Sequence, residues 1–274
     1  MKFELMLETA ILSDDVALKK AYTAQCLDNC IQKSGDCAVD FIPKQFDSPS
    51  YGTICRIVDP KDLPSRKRSD TMEGMAALVH AIAHIEYSAI DLALDAVYHF
   101  GSMPIEYKID WLEVAADEIR HFAMLEALLS DLGYKYGDFP VHSGLFDIAK
   151  QTAHSPLDRM AVVPRYFEAS GLDVNPQIIK KLKQQRQNQY ILRLIESLEV
   201  ILAEEIDHVR KGDRWFKYLC DIEGLDAPST YKEILSSYRL LDKPRPHINI
   251  QARKEAGFAC SELLELGAKE CGEE

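Results

Sequence analysis

Residues 117–121, DEIRH, and 204–208, EEIDH, each set a glutamate and a histidine three positions apart inside a run whose other inward positions are apolar. A helix returns to one face at i+3, i+4 and i+7. In that frame Glu118 shares its face with Trp111, Val114, Ala115, His121, Phe122 and Leu125. Glu205 shares its face with Leu198, Ile201, Leu202, His208, Val209 and Gly212. Glu86 sits alone among Val79, Ile82, Ala83, Ala89, Ile90 and Ala93. Glu168 is the least clean case, with Ala161 and Pro164 on its face but also Arg165. An isolated ionised carboxylate costs several kcal/mol to bury or else takes up a proton, and four together would also repel. A fold that turns these positions inward has to supply counter-charge.

The helices that carry them are readable from caps and stops. Asp70 with Glu73 fits a capping box, so a long helix is expected from there to Gly101. A second is expected over 105–132, stopped by Gly133. After a long connection, YKYGDFPVHSGLFDIAKQTAHS, a third begins at Pro156 and is expected to stop at Gly171. Residues 176–187 read as a basic helix and 189–222 as a fourth long one. Two long helices, a crossover and two more outline an all-α four-helix bundle. The bundle is assigned to 69–222. Residues 1–68 are assigned to a helical, then proline-interrupted arm packed on it, and 223–274 to a tail of loop and short helix, the whole forming one domain. Strand patterning is weak throughout, and no 20–50-residue repeat is present.

Composition removes several functional classes. The formal net charge is -12, which disfavours bulk attraction to nucleic acid or anionic membrane. No uninterrupted apolar run approaches the ~18 residues of a membrane span, and MKFELMLETAIL lacks the pattern of a secretory signal. Seven cysteines in a long chain do not make a disulfide framework, so free thiols in a reducing cytoplasm are expected. Cys26, Cys30 and Cys37 fit no metal spacing. There is no Gly-rich phosphate loop and no G-x-S-x-G elbow.

Divalent cations are the counter-charge that suits this donor set. Four glutamates and two neutral histidines provide three to five ligands for each of two metals, the pattern of one Glu from each of two helices and Glu-x-x-His from each of two others. One Glu-x-x-His carries no weight by itself. Two of them, each in an apolar stripe and each following a further inward Glu, point to a dinuclear centre. Hard oxygen and imidazole donors favour iron, accept manganese and suit zinc less. Glu118 and Glu205 are read as bridging ligands, His121 and His208 as terminal ones, and Glu86 and Glu168 as outer caps. Asp117, Arg120 and Asp207 flank the ligands and are candidates to orient them; Arg120 and Asp207 are either a pair between helices or two solvated charges. His142, in the crossover, is a candidate to approach the site. His80 and His84 lie on the face away from Glu86, beside Asp91, and are read as solvated or hydrogen-bonding.

The blocks HAIAHIEYSAIDLALDAVYHF, DWLEVAADEIRHF, YGDFPVHSGLF, RMAVVPRYFEASGLDVNP and EEIDHVRKGDRWF together resemble an uncharacterised bacterial family of ferritin-like proteins, over roughly residues 60–260. More distantly they resemble tRNA-modifying di-iron hydroxylases and other ferritin-like oxidoreductases. The resemblance implies a ferritin-like bundle with metal ligands at Glu86, Glu118, His121, Glu168, Glu205 and His208. It implies no particular reaction. The expectation is a cytoplasmic di-iron oxidoreductase acting with dioxygen or peroxide on a small or tethered organic substrate, with a separate electron donor, as a monomer or homodimer. A tRNA substrate enters only by analogy and is disfavoured by charge. The alternatives are iron oxidation and storage, metal binding without turnover, or a structural metal staple.

Overall fold

A computed structural model describes residues 1–32, 41–64, 71–186, 188–242, 245 and 247–271. Among these the protein is all-α, as the periodicity requires, with one isolated β-bridge between Ile57 and Val141. The chain divides into two compact units. The first is Met1–Gln151 with Gln187–Ser197, and the second is Thr152–Arg186 with Leu198–Glu274.

In the first unit, α1 (Phe3–Leu12) and α2 (Val16–Gln32) form a hairpin over α3 (Met72–His99) and α4 (Ile105–Asp131), which pack on each other. Asp70, expected as the cap of α3, lies outside the described residues. The cap is Thr71, whose hydroxyl accepts from the Gly74 amide at 3.1 Å. α4 stops at Gly133, which takes φ 83°, and the Tyr134 amide returns to the Leu129 carbonyl at 2.9 Å. That is the left-handed C-terminal turn glycine favours. The hairpin is locked by a buried lysine. Lys19 donates to the Ala10 and Ile11 carbonyls at the end of α1 (2.9 and 3.3 Å) and pairs with Asp91 of α3. Asp91 also accepts from Ser50 at 2.7 Å.

α3 corrects one expectation. Although charges interrupt its apolar sequence, it is long and apolar enough over an 18-residue window to cross a membrane by length and composition. Within the protein 78% of that window is buried, the environment of a core helix packed on two neighbours. The connection after α4 also differs from the sequence reading: it contains a helix, α5 (Gly144–Thr152).

The second unit departs further from the sequence reading. The helix from Pro156 does not end at Gly171. α6 (Pro156–Val162) passes into one π turn, Val163–Glu168, and continues as α7 (Ala169–Lys183) through both Gly171 and Pro176. Burial of Ala169, Leu172, Ile179 and Leu182 outweighs the local breakers. Asp173 adds a two-pronged ion pair to the buried Arg253, at 3.0 and 2.7 Å. α8 (Gln189–Glu223) matches its expected span closely. Among its described residues the tail holds three helices rather than one: α9 (Ala227–Ser237), α10 (Ile250–Glu255) and α11 (Cys260–Glu265). Cys260 and Cys271 are joined in a disulfide, against the expectation of free thiols throughout. The turn ending α11, closed by Gly267 and by the Ala268 amide on the Leu263 carbonyl, brings their Cα atoms to 5.6 Å. Spacing alone does not disclose such a turn. Cys26, Cys30, Cys55 and Cys220 are buried thiols; Cys37 lies outside the described residues.

Candidate metal centre

α3 and α4 bring three of the expected ligands together. Glu86 comes from α3, and Glu118 and His121 come from α4, one turn apart. Their exposures are 4%, 0% and 0%. His121 Nδ1 lies 3.1 Å from Glu86 Oε2 and 3.4 Å from Glu118 Oε2, so one imidazole nitrogen faces two carboxylates. One donor atom from each of the three falls within 4.8 Å of the others, close enough to converge on a cation. This buried Glu/His group could hold a metal ion.

The protonation of the group reports its charge problem. Burial, and then the Glu118 charge, push the Glu86 carboxyl up to about 8, although His121 opposes the rise. Burial disfavours charge on His121, but its contacts with Glu118 and Glu86 outweigh that and push it up to about 11. Both shifts favour taking up protons where no cation supplies the counter-charge.

In the second unit α8 presents Glu205 and His208, both buried, with His208 Nδ1 4.0 Å from Glu205 Oε1. Glu168, half-buried, closes the π turn. Such one-turn bulges recur at functional sites because they re-aim a side chain without ending the helix. Gly212, on the Glu205–His208 face of α8, makes room for this turn. A Cβ there would stand 2.3 Å from the Cβ of Pro164. The sequence showed Gly212 on that face but not its partner, because a π turn has no simple pattern.

The remaining candidates make contacts on their own elements. Arg120 pairs with Asp117 on its own helix at 2.6 Å. Asp207 likewise pairs with Arg210 and Lys211 on its own helix, at 3.0 and 3.3 Å. His142 is half-buried; its Nδ1 accepts from the Gly144 amide at 3.0 Å, and its ring lies 6.2 Å from that of His84. His80 and His84 are buried rather than solvated. His80 Nε2 accepts from the Gly137 amide at 2.9 Å, and His84 bonds Tyr136 and the His142 carbonyl. The sequence reading missed Tyr136. The nearest signal was the aromatic spacing of YKYGDF within the crossover.

Fold and site together define an all-α protein with a buried acid–imidazole group suited to a cation. The chain belongs to the family described as proteins of unknown function, DUF455, which it matches over residues 9–264. The match reaches back into α1, further than the resemblance over residues 60–260 suggested. A protein of Haemophilus influenzae described as uncharacterized is 42% identical over 214 residues, covering 76% of this chain and 72% of the relative. No solved structure matches.

Proposed function

We propose that the chain is a ferritin-like carboxylate protein that holds two divalent cations, iron in preference to manganese, and uses them for redox chemistry on an organic substrate. The observation that carries this reading is the Glu86–Glu118–His121 group, where two buried carboxylates share one imidazole nitrogen. Glu118 and Glu205, His121 and His208, and Glu86 and Glu168 are the residues that would hold the cations, the first pair as shared ligands and the others as ligands to one ion each. Three facts favour the second half of this set: the repeated Glu-x-x-His spacing, the burial of Glu205 and His208, and the approach of Gly212 to the turn that ends in Glu168. Bound iron or manganese supplies electron exchange with dioxygen or peroxide.

The chain's own residues set the conditions for that chemistry. The raised affinity of Glu86 and His121 for protons sets protons against the cation there, so binding is proton-coupled and tightens as pH rises. Trp111 and Phe122, buried on the α4 stripe, exclude water around the ligands. The net charge of -12 sets nucleic acid aside as a substrate and favours a small or tethered organic molecule, with a separate electron donor. The assembly that fits such an enzyme is small, a homodimer among the forms it could take. An iron-storage protein would instead assemble a cage of many subunits, which size-exclusion chromatography distinguishes.

Anaerobic calorimetric titration of metal-free protein with Fe²⁺ or Mn²⁺ tests the proposal. The expected result is about two equivalents bound with proton release, and loss of binding in Glu118→Gln and Glu205→Gln. A wild type that binds neither ion, or variants that bind as it does, would refute it.

A further inference from the structure

A block of aromatic rings in the first unit is built around residues that neighbour Glu86 and His121 in the chain. Tyr87 follows Glu86 in the chain and Phe122 follows His121. Their rings meet edge-on, with centroids 5.4 Å apart. Both rest on Tyr136: Tyr87 stacks on it at 5.2 Å with 16° between planes, and Phe122 meets it edge-on at 5.1 Å. His80 also stacks on Tyr136, at 5.1 Å. All of these rings are buried.

The hydrogen bonds separate the two tyrosines. The Tyr136 hydroxyl lies 2.8 Å from His84 Nδ1, and His84 Nε2 lies 3.0 Å from the His142 carbonyl oxygen. A carbonyl only accepts, so Nε2 carries the proton of the neutral imidazole. Nδ1 is then bare and accepts from the phenol. Tyr136 therefore has a base at its hydroxyl. The Tyr87 hydroxyl meets the Ser50 hydroxyl at 3.2 Å and the Ser13 carbonyl at 3.4 Å, neither of which takes up a proton near neutrality. The Lys19 ammonium, 5.3 Å from the Tyr87 ring centroid, further opposes positive charge on that ring. Burial, and then the neighbouring Cys55, raise the Tyr136 pKa, so the resting group is a neutral phenol. Burial also raises that of the Cys55 thiol, so it does not compete with His84 as a base.

We infer that Tyr136 is a redox-active tyrosine with His84 as its proton acceptor, linked by Tyr87 and Phe122 to the Glu86–Glu118–His121 group. This role rests on the redox reading of that group. A strong one-electron oxidant, of the class a metal site generates with dioxygen or peroxide, removes one electron from the phenol. The O–H bond breaks as its proton passes to His84 Nδ1. The products are a neutral phenoxyl radical and an imidazolium whose Nε2–H stays on the His142 carbonyl. One electron from the donor and the returning proton restore the phenol. The pair thus stores one oxidising equivalent in a dry aromatic pocket.

The test uses metal-free full-length protein, with a ruthenium polypyridyl sensitiser and persulfate supplying the oxidant under a light flash. Electron paramagnetic resonance after freeze-quenching reads the radical. A persistent tyrosyl signal is expected, altered by ring-deuterated tyrosine, absent in Tyr136→Phe and retained in Tyr87→Phe. His84→Gln should shorten its lifetime and remove its solvent isotope effect on formation. Tyr136→Phe deletes one oxygen and keeps the ring stack, and circular dichroism confirms that each variant folds. No persistent signal in wild type, or one unchanged in Tyr136→Phe, overturns the inference, as does a signal lost only in Tyr87→Phe. Because light supplies the oxidant, a negative result leaves metal binding standing. A failed metal titration leaves the tyrosine result standing.

Discussion

Arg165 in the second unit and Glu118 in the first are equally buried, both at 0% exposure. Around Arg165 the neighbours attract. Its guanidinium lies over Phe216, Tyr231 and Phe258, 4.5, 4.1 and 4.7 Å from their centroids. It donates to Glu262 at 2.6 Å and pairs with Asp213 at 3.0 Å, and Lys217 meets Asp213 from the other oxygen at 2.8 Å. Burial works against its charge, yet Glu262, Tyr231 and Asp213 still raise its pKa. Around Glu118 the neighbours include Glu86, whose carboxyl is pushed up to about 8 by burial and by Glu118. In the first arrangement side chains of opposite charge meet, whereas in the second two carboxylates share one imidazole and a cation could supply the counter-charge. Buried charge therefore does not by itself mark a site; buried charge of unbalanced sign does.

Substitutions can break this contrast. Arg165→Met should have the largest effect, because it strands the buried Glu262 and leaves Asp213 with Lys217 alone. A loss of about 3–5 kcal/mol is expected, read by urea unfolding. Saturating the wild type with Fe²⁺ or Mn²⁺ should work in the opposite direction. At a hundredfold excess over Kd the gain is about 2.7 kcal/mol, read as a rise in Tm under anaerobic conditions. If Tm does not move, the imbalance around Glu118 is met by protons alone. Gly212→Ala should cost about 1–3 kcal/mol, since its Cβ overlaps Pro164. It should also weaken metal binding if Glu168 is a ligand; full stability with wild-type affinity would remove Glu168 from the set. The smallest effect sharpens the comparison most. Metal-free Glu118→Gln should change stability by about 1 kcal/mol or less, because it relieves Glu86 but also removes a carboxylate that pairs with His121. A loss as large as that of Arg165→Met would mean that Glu118 is a structural charge.

Much of this was legible in the chain. The inward positions of Glu86, Glu118, His121, Glu205 and His208 follow from 3.6-residue periodicity, and all five are buried. The spans of α3, α4 and α8 follow from apolar stripes and from stops such as Gly133. The segment around Glu168 was misread because Gly171 and Pro176 look like ends, whereas Leu172, Ile179 and Leu182 are buried and hold α7 through them. Two of the three tail helices and the Cys260–Cys271 pair were missed for the opposite reason. Each helix is short, so its periodicity is weak and its stability comes from contacts distant in sequence, such as Arg253 with Asp173 and Arg165 with Glu262.

The sequence by itself determined that this chain is helical and that acid and imidazole groups turn inward, because one face repeats every few residues and solvent sorts polar from apolar along it. Only the tertiary structure decided which of those groups meet. The 3.1 Å contact of His121 with Glu86 joins residues on different helices. The hydroxyl of Tyr136 finds a base in His84, 52 residues earlier. Distances between helices depend on packing volumes summed over many side chains, and no local pattern encodes that sum.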